Sequence, residues 1–368
     1  MNTPSFLLPS LIMILMIGLL VVLYYVMPRL TRPDIYFAVT VMPDFRDSAE
    51  GRAILGRYRV EVVVYGIIAI AVALIGLWVP QPPSDTLIVV GLVLQPVGGF
   101  IAYYRARQRV QPHAVAPATV REAALAPHEA RLPGGWAVQI GPFALLAAVA
   151  IWLRLHWSEI PDRFPVHWGI NGQPDNWATR SFTGVFLPLL TGVFVIALLG
   201  FLAYAILRWS RVIRMGGAAG ESEQRFRHIV ASILVATEYL LALVFAWTGV
   251  LALSTVRTGP PGVAPILVLT LGFTVVVALL LIRTGQGGSR LASAAASGTA
   301  VPVGDRTADR YWKLGLFYVN RDDPALIVEK RFGIGYTLNF GHPGTWLVMG
   351  ALAALVLLGG FLGQSHPH

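Results

Sequence analysis

The chain has 368 residues, of which 55% are hydrophobic and only 13% are charged, and its mean hydropathy is +0.65. Soluble domains usually carry about 25% charged residues, so this composition indicates a membrane protein and excludes a cytosolic enzyme with a tail anchor. Lysine plus arginine outnumber aspartate plus glutamate by 28 to 19. This excess does not imply nucleic acid, because membrane proteins concentrate these cations in their cytoplasmic loops. The absence of cysteine excludes disulfides, thiolate catalysis and cysteine-bound metal clusters.

Apolar stretches long enough to cross a bilayer recur along the whole chain, since a transmembrane helix needs about 20 mostly apolar residues. Eight such stretches are present, at residues 6–27, 62–80, 86–104, 137–157, 183–207, 228–252, 264–283 and 345–363. No lysine or arginine precedes the first stretch, which predicts an uncleaved span and not a signal peptide. We therefore expect an all-α membrane protein with about eight transmembrane helices.

The basic residues are distributed very unevenly between alternate loops. Loops 28–61, 105–136, 208–227 and 283–344 together hold 24 lysines and arginines, whereas the termini and the loops on the other side hold 3. Because positively charged loops are retained in the cytoplasm, this split predicts that the N-terminus and the C-terminus are both outside. The expected location is the plasma membrane of a bacterial-type cell.

The segments between the spans predict the following organisation in chain order. Residues 1–136 form three transmembrane helices with a structured cytoplasmic loop 28–61 and a linker 110–135. Residues 137–283 form a four-helix membrane region with an outer loop 158–182. A flexible linker at 284–308, a small cytoplasmic β module at 309–342 and the last helix at 345–363 follow. The linkers are predicted from their Ala, Pro, Gly and Ser content. The β module is predicted as a meander of about three strands, because aromatic and β-branched runs alternate with turn residues.

The outer loop 158–182 carries the strongest local signal. Its prolines and its Asn171-Gly172 and Pro174-Asp175 pairs favour rigid turns. We therefore expect a recognition loop formed by Pro161, Asp162, Pro165, His167, Trp168, Asn171, Gly172, Pro174, Asp175 and Trp177. One interpretation is a structural lid whose tryptophans lie at the membrane interface.

The same loop also suggests a divalent metal site. The candidate ligands are Glu159, Asp162, His167 and Asp175, because carboxylate and imidazole groups bind such ions. The spacing does not fix a coordination geometry, which favours the structural interpretation. No cofactor is therefore predicted, and a divalent metal stays open as the alternative.

Two sequence patterns resemble known families. Ile160 to Asp175 reads Ile-Pro-x-x-x-Pro-x-His-Trp-x-x-x-Gly-x-Pro-Asp, which resembles the signature of an uncharacterised bacterial and archaeal membrane-protein domain. That domain also occurs in SdpI-type immunity proteins, which protect a cell from a secreted killing peptide and take part in signalling. Trp312 to Asn339 contains Trp-x-x-Gly-x-x-Tyr-x-Asn-x-x-Asp-Pro and resembles a second small uncharacterised module that is often joined to the first.

One carboxylate falls inside a predicted span. Glu238 lies ten residues beyond His228, which places it about 15 Å deep in the sixth span, close to the midplane. An ionisable group at this depth costs several kcal/mol unless it is protonated or paired. The same arithmetic places Gln95 and Thr191 at similar depth and predicts them as hydrogen-bond partners. A tie between helices and a proton or cation relay both remain open.

Familiar catalytic motifs are absent from the sequence. It contains no Walker loop, no Gly-x-Ser-x-Gly elbow and no His-Glu-x-x-His pair, so enzymatic activity is the less expected outcome. The preferred function is sensing of, or resistance or immunity to, an extracellular peptide or envelope stress. Loop 158–177 would be the recognition surface, and residues 309–342 would contact a cytoplasmic protein partner. The lipid bilayer surrounds the helices, and no nucleic-acid partner is expected. The alternatives are a secondary transporter using Glu238, Gln95 and Thr191, and a metal-dependent membrane hydrolase using the outer-loop acids and His167.

Overall fold

The computed structural model describes residues 4–79, 83–117, 131–168, 174–211, 217–257, 264–293 and 307–364. Within these ranges the helices are α1 (Pro4–Val26), α2 (Ala49–Trp78), α3 (Pro83–Val110), α4 (Gly135–Leu155), α5 (Phe182–Trp209), α6 (Gly217–Arg257), α7 (Ala264–Thr284), α8 (Ser289–Ser293) and α9 (Pro343–Gln364). The strands are β1 (Ile35–Tyr36), β2 (Val39–Thr40), β3 (Arg163–Trp168), β4 (Pro174–Thr179), β5 (Trp312–Lys313), β6 (Phe317–Tyr318), β7 (Ile327–Glu329) and β8 (Tyr336–Leu338).

The protein is a multi-pass α-helical membrane protein. In the described parts of the chain, seven helices, α1 to α7, are long and apolar enough to cross a membrane. The predicted eighth span corresponds to α9, a helix of 22 residues in which the apolar segment Pro343–Ala354 is described. The membrane-spanning character is thus confirmed, and the count of eight stays a prediction.

The membrane helices pack in two groups of three. In the first group, α1, α2 and α3 contact one another around Ile17, Ala69 and Ala73. In the second, α4, α5 and α6 contact one another around a core that includes Leu146 and Leu189. Helix α7 contacts both groups, through α1 and α6. In the first group the small side chains of Ala69 and Ala73 let the helix backbones approach closely, which is one way in which helices associate in lipid.

Each end of the helix bundle has a distinct character. The basic face is the end formed by residues 27–48, 105–117, 208–211, 285–293 and 307–342, where most of the arginines lie. The hairpin face is the opposite end, which carries strands β3 and β4.

The loop between α1 and α2 contains a short β hairpin. Strands β1 and β2 form a hairpin whose turn residues, Phe37 and Ala38, have φ of 45° and 61°, the left-handed values that a two-residue hairpin turn requires. Phe37 is fully buried and its ring contacts those of Tyr58 and Phe332 at 5.0 and 6.3 Å. Burial of this aromatic ring stabilises a turn in which a residue other than glycine is strained.

The β module differs from the predicted three-stranded meander. It consists of two separate hairpins, β5–β6 and β7–β8, joined by a single parallel bridge between Tyr318 and Asn339. The segment between the hairpins contains Pro324, which has no N–H for a strand ladder. Its backbone groups bond to the Asn339 side chain instead, so a continuous meander does not form.

Part of the predicted linker 284–308 is packed. Gln286, Gly287 and Gly288 are buried, and Gly287 and Gly288 have φ of 60° and 72°, a conformation that glycine adopts at little cost. The glycines here serve a tight turn, so their composition indicated flexibility wrongly. Residues 294–306, and residues 118–130 of the other predicted linker, lie outside the described residues.

Candidate functional site

The outer loop folds as a hairpin on the ends of α4, α5 and α6. Strands β3 and β4 pair antiparallel with Phe164 opposite Ala178, and the register shifts near His167. Phe164 and Ala178 are buried together with Ile160 in the core of the second helix group. The apolar side chains of one strand face therefore attach the hairpin to the bundle.

Arg180 fixes the base of this hairpin. Its guanidinium donates to the carbonyls of Ser158 and Ile160 at 3.3 and 3.0 Å and to the carboxylate of Asp162 at 2.5 Å. Asp162, predicted as a recognition or metal-binding residue, is thus the partner of Arg180. In the sequence analysis Arg180 contributes only to the charge of its loop, although a cation close to several carboxylates could have indicated this pair.

The exposed part of the hairpin combines an aromatic and a cationic side chain. Trp177 is 42% exposed, and the guanidinium of Arg163 lies 5.6 Å from the centre of its ring, within the range of a cation–π interaction. Pro161 is half-buried and Pro165 is buried, whereas Glu159 and Asp162 are exposed. This surface presents an indole, a guanidinium and carboxylates to the surroundings.

Other predicted site residues of the loop lie outside the described structure. Residues 169–173, with Asn171 and Gly172, are not described, and of His167, Trp168, Pro174 and Asp175 only the backbone strands are described. Among the described side chains, no group of three His, Asp or Glu residues could hold a metal ion. The metal hypothesis depends on His167 and Asp175, so it stays a prediction.

A second candidate site lies between α4, α5 and α6. Glu238 is fully buried and Gln139 is 8% exposed. A methyl group built on Gly200 would lie 3.4 Å from Oε1 of Glu238 and 3.5 Å from Oε1 of Gln139. The two side chains therefore face the same gap in α5. Gln139 was missed by the sequence reasoning, although a glutamine inside an apolar span is a recognisable signal.

The predicted partners of Glu238 are not its neighbours. Neither side-chain oxygen of Glu238 and neither polar side-chain atom of Gln95 has a hydrogen-bond partner among the described residues. Gln95 lies in the first helix group, against Gly66 of α2. Thr191 precedes Gly200 by nine residues in α5, about 13 Å along the helix. Neither residue is placed to bond to Glu238, because Gln95 is on a helix of the other group and Thr191 is at a different level of α5.

Glu238 lies in the middle of α6, which runs from Gly217 to Arg257. It is level with Gln139, which is four residues after Gly135 at the start of α4, about 6 Å along that helix. Helix α6 therefore projects beyond the start of α4 on the basic face, and the depth of Glu238 in the bilayer stays a prediction.

Buried charged side chains attach the β module to the α1–α2 loop. Arg331 is buried and pairs with Asp309, whose carboxylate accepts a bond from the Thr40 hydroxyl at 2.7 Å. Arg32 lies 3.4 Å from Glu329 in a second buried ion pair. Thr40 and Arg32 belong to the α1–α2 loop, so their contacts with Asp309 and Glu329 attach the loop to the module.

The module also contacts the ends of α3, α6 and α7. The Tyr103 hydroxyl donates to the carbonyl of Leu314 at 2.9 Å, and the Gln286 amide bonds to both backbone groups of Gly335 at 3.0 and 2.7 Å. Phe226 of α6 packs on Tyr336 with ring centres 5.8 Å apart. Burial raises the pKa of Tyr336 well above its usual range, so this phenol stays neutral.

Two family models match parts of the chain. A domain of unknown function (DUF1648) matches residues 143–192, which contain the hairpin with most of α4 and the first part of α5. A family of unknown function (DUF5808) matches residues 321–346, which contain β7, β8 and the start of α9. Neither the comparison with curated proteins nor that with solved structures finds a match. The matches support the predicted resemblance at the level of two domains of unknown function.

Proposed function

We propose that the protein senses, or confers resistance to, an extracellular peptide or envelope stress, with the hairpin of residues 158–177 as the recognition surface. In this proposal the basic face is cytoplasmic and both termini are outside, in the plasma membrane of a bacterial-type cell. The 24-to-3 distribution of lysine and arginine between alternate loops supports this orientation. The link to immunity rests on the resemblance of Ile160 to Asp175 to the domain found in SdpI-type proteins.

The observation that carries the proposal is that α6 contacts both the outer hairpin and the inner module. At one end, α6 packs against β3. At the other end, Phe226 contacts Tyr336, and Val230 and Leu234 pack around Ile327 of β7. A displacement of the hairpin would therefore act on the module through one continuous helix. Coupling of this kind suits a sensor better than a passive lid.

The composition of the hairpin supports a peptide ligand. Tryptophan and arginine are enriched among residues that dominate binding energy at protein interfaces, and Trp177 and Arg163 lie together on the exposed surface.

The test compares survival of cells that carry hairpin variants. A deletion strain is complemented with the wild-type protein, with Trp177→Ala or with Trp78→Ala, and growth is measured in nisin, polymyxin B and a cell-wall inhibitor. Trp78 is the matched control, because it is 88% exposed at the end of α2 on the same face. We expect the deletion and Trp177→Ala to increase sensitivity to at least one agent and Trp78→Ala to restore resistance. Unchanged survival of the deletion strain in every agent would contradict the proposal.

A second candidate function is secondary transport that uses the intramembrane carboxylate. The specific observation in its favour is the buried Glu238, whose oxygens have no hydrogen-bond partner among the described residues. Glu238→Gln keeps the side-chain shape and removes the charge, so it separates transport from a packing role. A variant that folds and retains the resistance phenotype favours the sensor.

A further inference from the structure

We propose that Glu238 and Gln139 bind a monovalent cation in the gap beside Gly200, and that the ion enters from the basic face. The site lies between three helices and does not include the hairpin, so this inference goes beyond the sensing function. It stands or fails independently of peptide resistance.

The side chains of Glu238 and Gln139 are buried and carry polar atoms without hydrogen-bond partners. Both carboxylate oxygens of Glu238 and the Nε2 atom of Gln139 have no partner among the described residues. A buried carboxylate without a partner is strongly destabilising. A bound cation neutralises this charge, and water molecules around it can satisfy the amide.

One side-chain oxygen of Glu238 and one of Gln139 face the gap beside Gly200. Oε1 of Glu238 and Oε1 of Gln139 lie 3.4 and 3.5 Å from the position where a methyl group on Gly200 would be. Carboxylate and amide oxygens are the ligands that hard cations prefer. The absence of a side chain at Gly200 leaves space for the ion between them.

The charge of the site determines the charge of the ion. Of the two side chains that lie nearest to Gly200, Glu238 and Gln139, Glu238 is the ionisable one. One carboxylate and one monovalent cation form a neutral pair, whereas a divalent cation would leave a net positive charge in an apolar bundle. The site therefore favours a monovalent over a divalent cation, whatever the radius of the ion.

A hydrogen bond between α4 and α6 makes the site rigid. The Tyr239 hydroxyl donates to the carbonyl of Val138 at 2.7 Å, and these two residues directly follow Glu238 and precede Gln139 in the sequence. This bond fixes the distance between α4 and α6 at the level of the site. Two ligands held by a fixed frame lose less entropy when they bind an ion.

The position of Gln139 along α4 makes the basic face the nearer side for an ion. Gln139 is four residues from the start of α4 at Gly135, about 6 Å along the helix axis, and sixteen residues from its end at Leu155, about 24 Å. The shorter path to the site therefore starts at the basic face.

The experiment measures thermal unfolding of the purified full chain in detergent, with NaCl, KCl or choline chloride at constant pH and ionic strength. We expect Na⁺ or K⁺ to raise the Tm by about 3 °C or more over choline, because an ion that binds only the folded state stabilises it. Glu238→Gln keeps the shape of the side chain and should lose this difference. Equal Tm values for the wild-type protein in all three salts, or an unchanged shift in Glu238→Gln, would overturn the proposal.

Matched variants keep the test decisive if Glu238→Gln fails to fold. Gly200→Ala places a methyl group in the gap without changing any charge and should abolish the salt-specific shift. Gly249→Ala is its control, because a methyl group there would lie 3.4 to 3.5 Å from the apolar side chains of Leu189, Leu153 and Val149. Gln95→Leu removes another buried, unpartnered amide from the first helix group and should keep the shift. A shift that survives Gly200→Ala, or that Gln95→Leu abolishes, would contradict the assigned site.

Discussion

The side chain of Asn339 bonds to the backbone of Asn320 as a neighbouring strand would. Its Oδ1 accepts the N–H of Asn320 at 3.0 Å, and its Nδ2 donates to the carbonyl of the same residue at 2.8 Å. Nδ2 also lies 3.2 Å from the carbonyls of Asp323 and of Ala325. Asn339 is fully buried, so one amide group satisfies a turn that has no strand beside it.

We expect Asn339→Ala to destabilise the β module by about 3 kcal/mol, because several backbone groups would be left buried without partners. The measurement is the rate at which a protease cleaves the module in the purified protein, together with its Tm. Asn176→Ala is the control, since Asn176 is an exposed asparagine of the hairpin. Equal protease resistance of the two variants would show that the amide is dispensable.

Arg331 provides a second test of the module. It is buried, pairs with Asp309 and lies 5.2 Å from the centre of the Trp312 ring. Arg331→Met leaves Asp309 without its cation and should lower the free energy of unfolding by about 3 kcal/mol. Arg331→Lys should not restore it, because an ammonium cannot replace the planar, multidentate guanidinium.

The control for Arg331 is Arg225→Met. Arg225 is exposed and lies 3.8 Å from an exposed Glu221, and such surface pairs contribute about 0 to 1 kcal/mol. If both substitutions shift the Tm equally, Arg331 is not a structural centre of the basic face.

The proposed orientation is tested with single cysteines, because the chain contains none. Cysteine replaces Asn176 on the hairpin or Asp322 in the module, both of which are exposed. In intact cells, an impermeant thiol reagent should label position 176 and leave position 322 unlabelled until the membrane is opened. The reverse pattern would invert the topology.

Lys330 gives a pH-dependent prediction. Burial lowers its pKa below the usual 10.5, so the unfolded chain binds more protons than the folded chain between the two pKa values. Stability should therefore rise with pH through this window. Lys330→Met should raise the Tm at pH 7, and its advantage over the wild-type protein should shrink toward pH 10.5. Lys313→Met is the control, since Lys313 is exposed, and an equal response of both variants would count against a burial effect.

The sequence predicted the helices well and the contacts between them poorly. Length and hydropathy are local properties, so apolar stretches identified seven spans that the structure bears out. The pairing of Glu238 with Gln95 failed because depth says nothing about which helices are adjacent. Gln139 is recognisable in the sequence as a polar residue inside an apolar span, but its proximity to Glu238 appears only when Gly200 is placed beside both side chains. The glycines of residues 285–288 were misread because the same residue serves flexible linkers and tight, buried turns.

Helix α6 has a mechanical consequence that follows from its length and composition. Its 41 residues extend about 60 Å, roughly twice the thickness of the hydrocarbon core. Helices α3, α4 and α5 contain Pro96, Pro142 and Pro188, whereas α6 has no proline. Because sharp bends in helices arise mostly at proline, α6 lacks the residue at which a helix usually bends. We therefore expect α6 to move as a rigid body, so that a displacement at its hairpin end also displaces its end at the basic face.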